Sequence, residues 1–258
     1  MSIIYLESKD NPKIKHLRAL IEQNNYRKKQ QQTVLESTHA CIAWLESGQK
    51  IHAFFTTEIA LKHPDLQDIQ ALHTGHIFII SEALYKSLST LGTTIACLAV
   101  IDIPRHTQTI NYNVDTLILD DVQDPGNVGT LLRSAAAANI KQILCTPAVA
   151  SLWSPRVLRA GMGAHFSLCC FERVDLTTVL PQFKIPVFAT SSHQANTVYE
   201  QDLKNPCVWV LGNEGQGVSE FALAHAKAVT IPQPGGQESL NVAIAGSICF
   251  FEMVRQRI

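Results

Sequence analysis

Between Cys207 and Glu252, two short apolar runs each break into a glycine-rich loop, and this pairing restricts the chain more than any other feature of its sequence. Val208 to Leu211 are β-branched, aromatic and aliphatic, as a buried strand requires. The run stops at Gly212, and Gly212, Gly215 and Gly217 fall within six residues. A second predicted strand, Val229 to Ile231, breaks at Pro232, and Pro234, Gly235 and Gly236 make the next loop. Ser239 stands where the N-cap of a following helix is expected. In that helix Leu240, Ala243, Ile244, Ser247/Ile248 and Phe251 approach the i, i+3, i+4 spacing of one face. Glycine has no side chain to hold a ligand away from the main chain. Two such loops, each following a strand, predict a site for something flat and polar.

At 258 residues, two modest domains are the default expectation. Charged residues are 17% of the chain, against roughly 25% in an ordinary soluble protein. So low a fraction leaves surface to bury against a second copy. Net charge is −1, so a nucleic-acid partner must be met by a local basic patch. The seven cysteines form no C-x-x-C pair and lie mostly in apolar runs. Buried free thiols in a reducing cytosol are expected, with no disulfide framework and no metal. No apolar stretch is long enough to span a bilayer and no signal segment is read, which predicts a cytoplasmic protein without membrane contact.

Residues 1 to 32 are basic on balance, with Lys9, Lys13, Lys15, Arg18, Arg27, Lys28 and Lys29. Asn11-Pro12 opens a helix with Ile14, Leu17, Leu20 and Ile21 as its apolar stripe. The cations read either as a solvated helix face or, beside Tyr26, as RNA contacts. Glu36 to Glu46 and Ala83 to Leu88 are predicted helices; His52 to Thr56, Ile77 to Ile80 and Ile95 to Ile103 are predicted strands. Residues 1–104 thus form a small α/β domain, and the polar stretch 105–113 is a linker. In residues 114–258, strands at Val114 to Leu119, Ile143 to Cys145 and Val187 to Thr190 alternate with helices, including one from about Val128 to Asn139 capped by Asn127. That alternation predicts a parallel sheet covered on both faces.

A dinucleotide fold would carry G-x-G-x-x-G after its first strand, but that turn holds only Gly126 and Gly129. G-x-x-x-x-G-K-[ST] is absent. Three segments matter jointly: DDVQDPGNVGTLLRSAAA, containing Asn127, Gly129 and Arg133; LGNEGQG, Leu211 to Gly217; and IPQPGGQESLNVAIA, Ile231 to Ala245. In this order and spacing they resemble the three motifs of the SpoU branch of the SPOUT RNA methyltransferases, which methylate a ribose 2′-hydroxyl with S-adenosylmethionine. The resemblance covers 114–258, including SPRVLRAGMGAHFSL. It extends more loosely to the N-terminal domain, which looks like the family's ribosomal-protein-like substrate-binding domain. Ser37 replaces a glycine usual there, and Gly161 stands where a serine is common.

The resemblance implies a C-terminal SPOUT-type parallel sheet whose loops are threaded into a trefoil knot, against the rule that chains are unknotted. It implies a homodimer, and a bent S-adenosylmethionine whose adenine meets main chain. The matching cofactor positions are Thr190, Leu211, Gly212, Gly217, Ile231 and Leu240. Arg133, Asn127, Glu214, Ser239 and Asn241 match the catalytic positions, with Asn241 lining the cofactor pocket as well. Arg133 alone reads as a surface salt bridge, Glu214 as an exposed loop charge and Ser239 as a plain N-cap. Only together do they suggest a ribose-positioning cation, an anchor and a helix start that favours negative charge. His165 and His193 lie outside the motifs and read as structural. The extra N-terminal domain makes ribosomal RNA the expected substrate. A transfer-RNA enzyme, an RNA-binding protein without turnover, and an enzyme acting on a small nucleotide are the alternatives.

Overall fold

The first helix begins as the Asn-Pro pair predicts. Asn11 Oδ1 accepts from Lys13 N–H at 2.9 Å and Pro12 takes the first helical position, where its missing N–H costs nothing. The structure is a computed structural model describing residues 2–89, 95–104, 107–191, 196–236 and 239–258. It divides into two compact units: Met1–Arg105 with Trp153–Phe166, and His106–Leu152 with Ser167–Ile258.

In the first unit the order is β1 (Ser2–Leu6), α1 (Pro12–Glu22), α2 (Asn24–Gln30), β2 (Gln32–Leu35), α3 (Thr38–Glu46), β3 (Ala53–Thr56), α4 (Pro64–Leu72), β4 (His76–Ile80), α5 (Glu82–Leu88) and β5 (Leu98–Asp102). The sheet order is β1-β4-β3-β5-β2, with β1, β4 and β3 parallel and β5 antiparallel to both its neighbours. Ile14, Leu17 and Leu20 are fully buried, each such side chain stabilising by roughly 1.5–3 kcal/mol. Arg27 departs from the basic cluster read in the sequence. It is buried and donates to the Leu20 and Ile21 carbonyls at 2.9 and 3.1 Å, satisfying the open C-terminal end of α1. Lys28 and Lys29 remain exposed.

The second unit runs β6 (Thr116–Asp120), α6 (Pro125–Ala137) and β7 (Gln142–Cys145). Next comes α7 (Pro155–Gly161), whose segment belongs to the first unit. There the Thr33 hydroxyl donates to the Trp153 carbonyl at 2.6 Å, and Trp44 meets Phe166 edge-on. The second unit resumes with β8 (Cys169–Glu172), α8 (Leu176–Val179), β9 (Val187–Thr190), β10 (Val208–Gly212), α9 (Glu220–Ala224), β11 (Lys227–Val229) and α10 (Val242–Arg257). All six strands are parallel in the order β11-β9-β10-β6-β7-β8. Every strand therefore ends on one edge, and the loops leaving β6, β9, β10 and β11 gather there.

β10 is buried on both faces. Val208 and Val210 pack with Leu176, Val179 and Ala222, while on the other face Leu211 meets α10. The contact with α10 is close: a Cβ at Gly246 would lie 2.5 Å from both Leu131 and Leu211. The core face of α10 is accordingly Ala243, Gly246, Cys249, Phe250 and Met253. Of the stripe read from the sequence, Ala243 does face the core, whereas Leu240, Ile244 and Phe251 face solvent at 37%, 52% and 50% exposure. The first three turns of the helix are largely apolar on every side, and the close approach that Gly246 permits decides which side turns inward. No helix among the described residues is long and apolar enough to cross a membrane, and six of the seven cysteines are buried free thiols. Gly246→Ala is expected to cost about 1–3 kcal/mol by overpacking, read as a lower urea midpoint with unchanged slope.

Candidate active site

The loop after β10 folds back within six residues, Gly212 to Gly217. Asn213 and Gly217 exchange both main-chain hydrogen bonds at 2.9 Å. Asn213 Oδ1 accepts from the Gly215 and Gln216 N–H groups at 2.8 and 3.0 Å, and its Nδ2 donates to the Asp121 carbonyl at 2.9 Å. A Cβ on Gly212 would lie 2.1 Å from the Gly217 carbonyl carbon, so only glycine fits. At the far end, Ser219 N–H donates to the buried Asp120 carboxylate at 2.8 Å.

The loop after β11 is pinned differently. Ser191 N–H donates to the Val229 carbonyl, Thr230 N–H to the Asn196 carbonyl, and Gly236 N–H to the Gln233 carbonyl at 3.1 Å. Between the two loops lies a hollow of about 1050 Å³ lined by Thr190, Gly212 to Gly217, Ile231, Ser239, Leu240 and Asn241 among others.

Beside it runs a polar chain whose direction is fixed at one end. Asn241 caps α10, its Oδ1 accepting from the Ala243 and Ile244 N–H groups at 2.9 and 3.2 Å. Those donors assign the oxygen, so Asn241 Nδ2 donates to Asn127 Oδ1 at 2.9 Å. Asn127 Nδ2 in turn donates to Glu214 Oε1 at 3.0 Å. Glu214 also accepts from the Asp124 and Gln123 N–H groups, both at 3.2 Å. Donors arriving at both oxygens favour the ionised form. Burial pushes the Glu214 pKa upward, but the bonds from Asn127, from its own main chain and from Gln123 and Asp124 outweigh it and hold the carboxyl below its ordinary value.

Eight predicted residues therefore meet at the hollow: Thr190, Gly212, Glu214, Gly217, Ile231, Ser239, Leu240 and Asn241. Asn127 joins them through hydrogen bonds. Leu211 is fully buried and does not line the hollow. Neither does Arg133, which is exposed on α6 and makes no hydrogen bond or ion pair among the described residues. Two caps differ from expectation. Asp124, not Asn127, caps α6, because Pro125 takes the first helical position and Asp124 Oδ1 accepts from Asn127 N–H at 2.8 Å. Asn241, not Ser239, caps α10. Each shift releases the Asn127 side chain or commits that of Asn241 to the polar chain. His165 is buried against Trp153 in the first unit, and His193 lies outside the described residues. Asn213 and Gln233 were missed. An asparagine opening a Gly-rich turn was a legible signal for the former.

Two family models match the chain: the SpoU rRNA Methylase family over residues 115–251 and the MRM3-like substrate binding domain over residues 11–99. A Synechocystis protein described as an uncharacterized tRNA/rRNA methyltransferase is 34% identical over 267 residues, spanning 99% of this chain and 95% of its own. A crystal structure of an RNA 2′-O ribose methyltransferase superposes with a TM-score of 0.87 at 29% identity, over 98% of this chain and 99% of the other. An AdoMet-bound rRNA methyltransferase from Sinorhizobium meliloti gives 0.84 at 25% identity, over 99% of each.

The depressed Glu214 pKa sets a pH dependence. The carboxylate's bonds are complete above its ordinary value of 4.5 and are lost as pH falls through the lower folded value. The amide proton signal of Gln123 should hold steady down to about pH 4.5 and move only below it. In Glu214→Gln that movement should vanish.

Proposed function

This chain belongs to the SpoU rRNA methylase family, and from that membership we infer that it transfers a methyl group from S-adenosylmethionine to a ribose 2′-hydroxyl of RNA. The observation that carries the reading is the Glu214–Asn127–Asn241 chain, which ties all three motif segments to the rim of one hollow. The hollow suits the cofactor. Its volume is that of a small-molecule site, and at Gly212 the main chain is bare because a side chain cannot fit. Thr190, Gly212, Gly217, Ile231 and Leu240 would hold it. When bound, it supplies an electrophilic methyl group on a sulfonium.

The residues contribute placement. Holding two reactants in line is worth roughly 7–11 kcal/mol, so a rigid rim matters more than any single acid or base. Asn241 and Ser239 stand at the start of α10, where main-chain N–H groups favour negative charge developing on the attacking oxygen. Arg133 is assigned to grip a phosphate of the target and to stabilise that oxygen. A guanidinium stays charged in proteins, so proton removal is not assigned to it.

Arg133 does not line its own chain's hollow, and we assign it to the hollow of a second copy. Support comes from the solvent-facing stripe Leu240, Ile244 and Phe251. Ser134, next to Arg133, shares a 2.8 Å hydrogen bond with Ser247, which lies between Ile244 and Phe251. The cation thus borders an apolar face of the kind a homodimer buries. The RNA is proposed to be ribosomal, met by the first unit, where Lys28 and Lys29 are free to contact phosphates. The reading also includes a cytoplasmic setting, which the free cysteines support. It includes a threaded C-terminal path as well, with the return of β11 to the edge beyond β9 as its support.

Incubation with tritiated S-adenosylmethionine and separate unmodified ribosomal and transfer RNA should label the ribosomal fraction. Label in transfer RNA alone would reassign the substrate, and no label in either would leave only a binder. Arg133→Ala should keep cofactor affinity within about twofold and lose about 10²-fold or more in transfer rate. Ile244→Asp should convert the dimer to monomer in sedimentation and abolish transfer with it.

A further inference from the structure

Gln233 lines the hollow, and its Oε1 is buried with no hydrogen-bond partner among the described residues. No other lining residue carries a buried side-chain atom in that condition among those described. A buried acceptor left unmet is unfavourable, so such atoms are nearly always paired in a functioning protein. The main chain at this residue is held, since the Gln233 carbonyl closes a turn by accepting from Gly236 N–H at 3.1 Å and Gly236 sits at φ +73°. The backbone is fixed while the carboxamide can turn without breaking a bond to Oε1. A donor that enters the hollow can therefore claim it.

We propose that Gln233 is a specificity-determining residue for the purine of the methyl donor. Its Oε1 accepts from the exocyclic amine, and its Nε2 donates to the ring N7. A glutamine carboxamide offers one acceptor and one donor side by side, the complement of the adenine N6/N7 edge. A 6-oxo purine presents two acceptors along that edge and would set its oxygen against Oε1. Main-chain groups of the loops can meet the purine as well; Gln233 adds a side-chain pair that favours amino over oxo. This rests on the reading that S-adenosylmethionine occupies the hollow and adds the group that recognises its base.

The test measures binding by calorimetry on the full chain, without RNA and without turnover. S-Adenosylhomocysteine and S-inosylhomocysteine are titrated into wild type and into Gln233→Met, which keeps the length and removes both polar atoms. Thermal melting confirms that the variant is folded. Wild type should prefer the adenosyl compound by about tenfold to a hundredfold. In the variant, affinity for the adenosyl compound should fall by a similar factor while the inosyl compound is little changed, so the preference collapses. An undiminished preference in Gln233→Met would overturn the proposal. Equal weakening of both compounds would also overturn it, because the side chain would then only shape the loop. If wild type binds neither, the cofactor reading falls and takes the proposal with it. Loss of preference with wild-type binding intact separates the two.

Discussion

The molecule's working end depends on the order in which one chain of hydrogen bonds is oriented. Two α10 N–H groups fix the Asn241 oxygen, the Asn241 amide fixes that of Asn127, and Asn127 donates to the Glu214 carboxyl. Each link is polar and partly open to solvent, so its net worth to folding is modest. Its value is directional. Reversing any amide would set two donors or two acceptors against each other along the whole relay. Three segments far apart in sequence are thereby held in one register without a covalent tie.

That register is backed by packing rather than by further polar contacts. Gly246 lets α10 lie close enough to Leu131 and Leu211 that the starts of α6 and α10 stand within reach of each other. Leu211, a cofactor position by resemblance, does its visible work here, beneath the hollow rather than on its wall. Behind the loops, the parallel sheet is covered by apolar side chains on both faces, so the strand ends present loops on a stiff base.

Much of this was legible in sequence, and the failures have physical causes. The alternation of strands and helices after residue 114 gave the parallel sheet, because strands buried on both faces read as unbroken apolar runs. Asn11-Pro12 marked its helix correctly. Pro125 should have marked Asp124 as a cap by the same logic; the nearby Asn127 hid it. β1 escaped notice because four of its five residues are exposed, leaving no alternation to read. In α10 periodicity identified a helix but not its inner side, since two apolar stripes compete and the choice rests on how near another element can come. Arg133 could be recognised only through its motif, as an exposed arginine on a helix otherwise reads as a surface charge.

The segment Trp153–Phe166 leaves the second unit's stretch of chain, packs beside β2 in the first and returns. The first unit is consequently built from two separate stretches of chain, with three covalent crossings between the units instead of one. Recombination at a single junction near residue 105 would transplant an incomplete module, stripped of α7 and of the carbonyl that Thr33 uses. Modules of this design can be inherited together or redesigned together, but they cannot be traded as beads on a string.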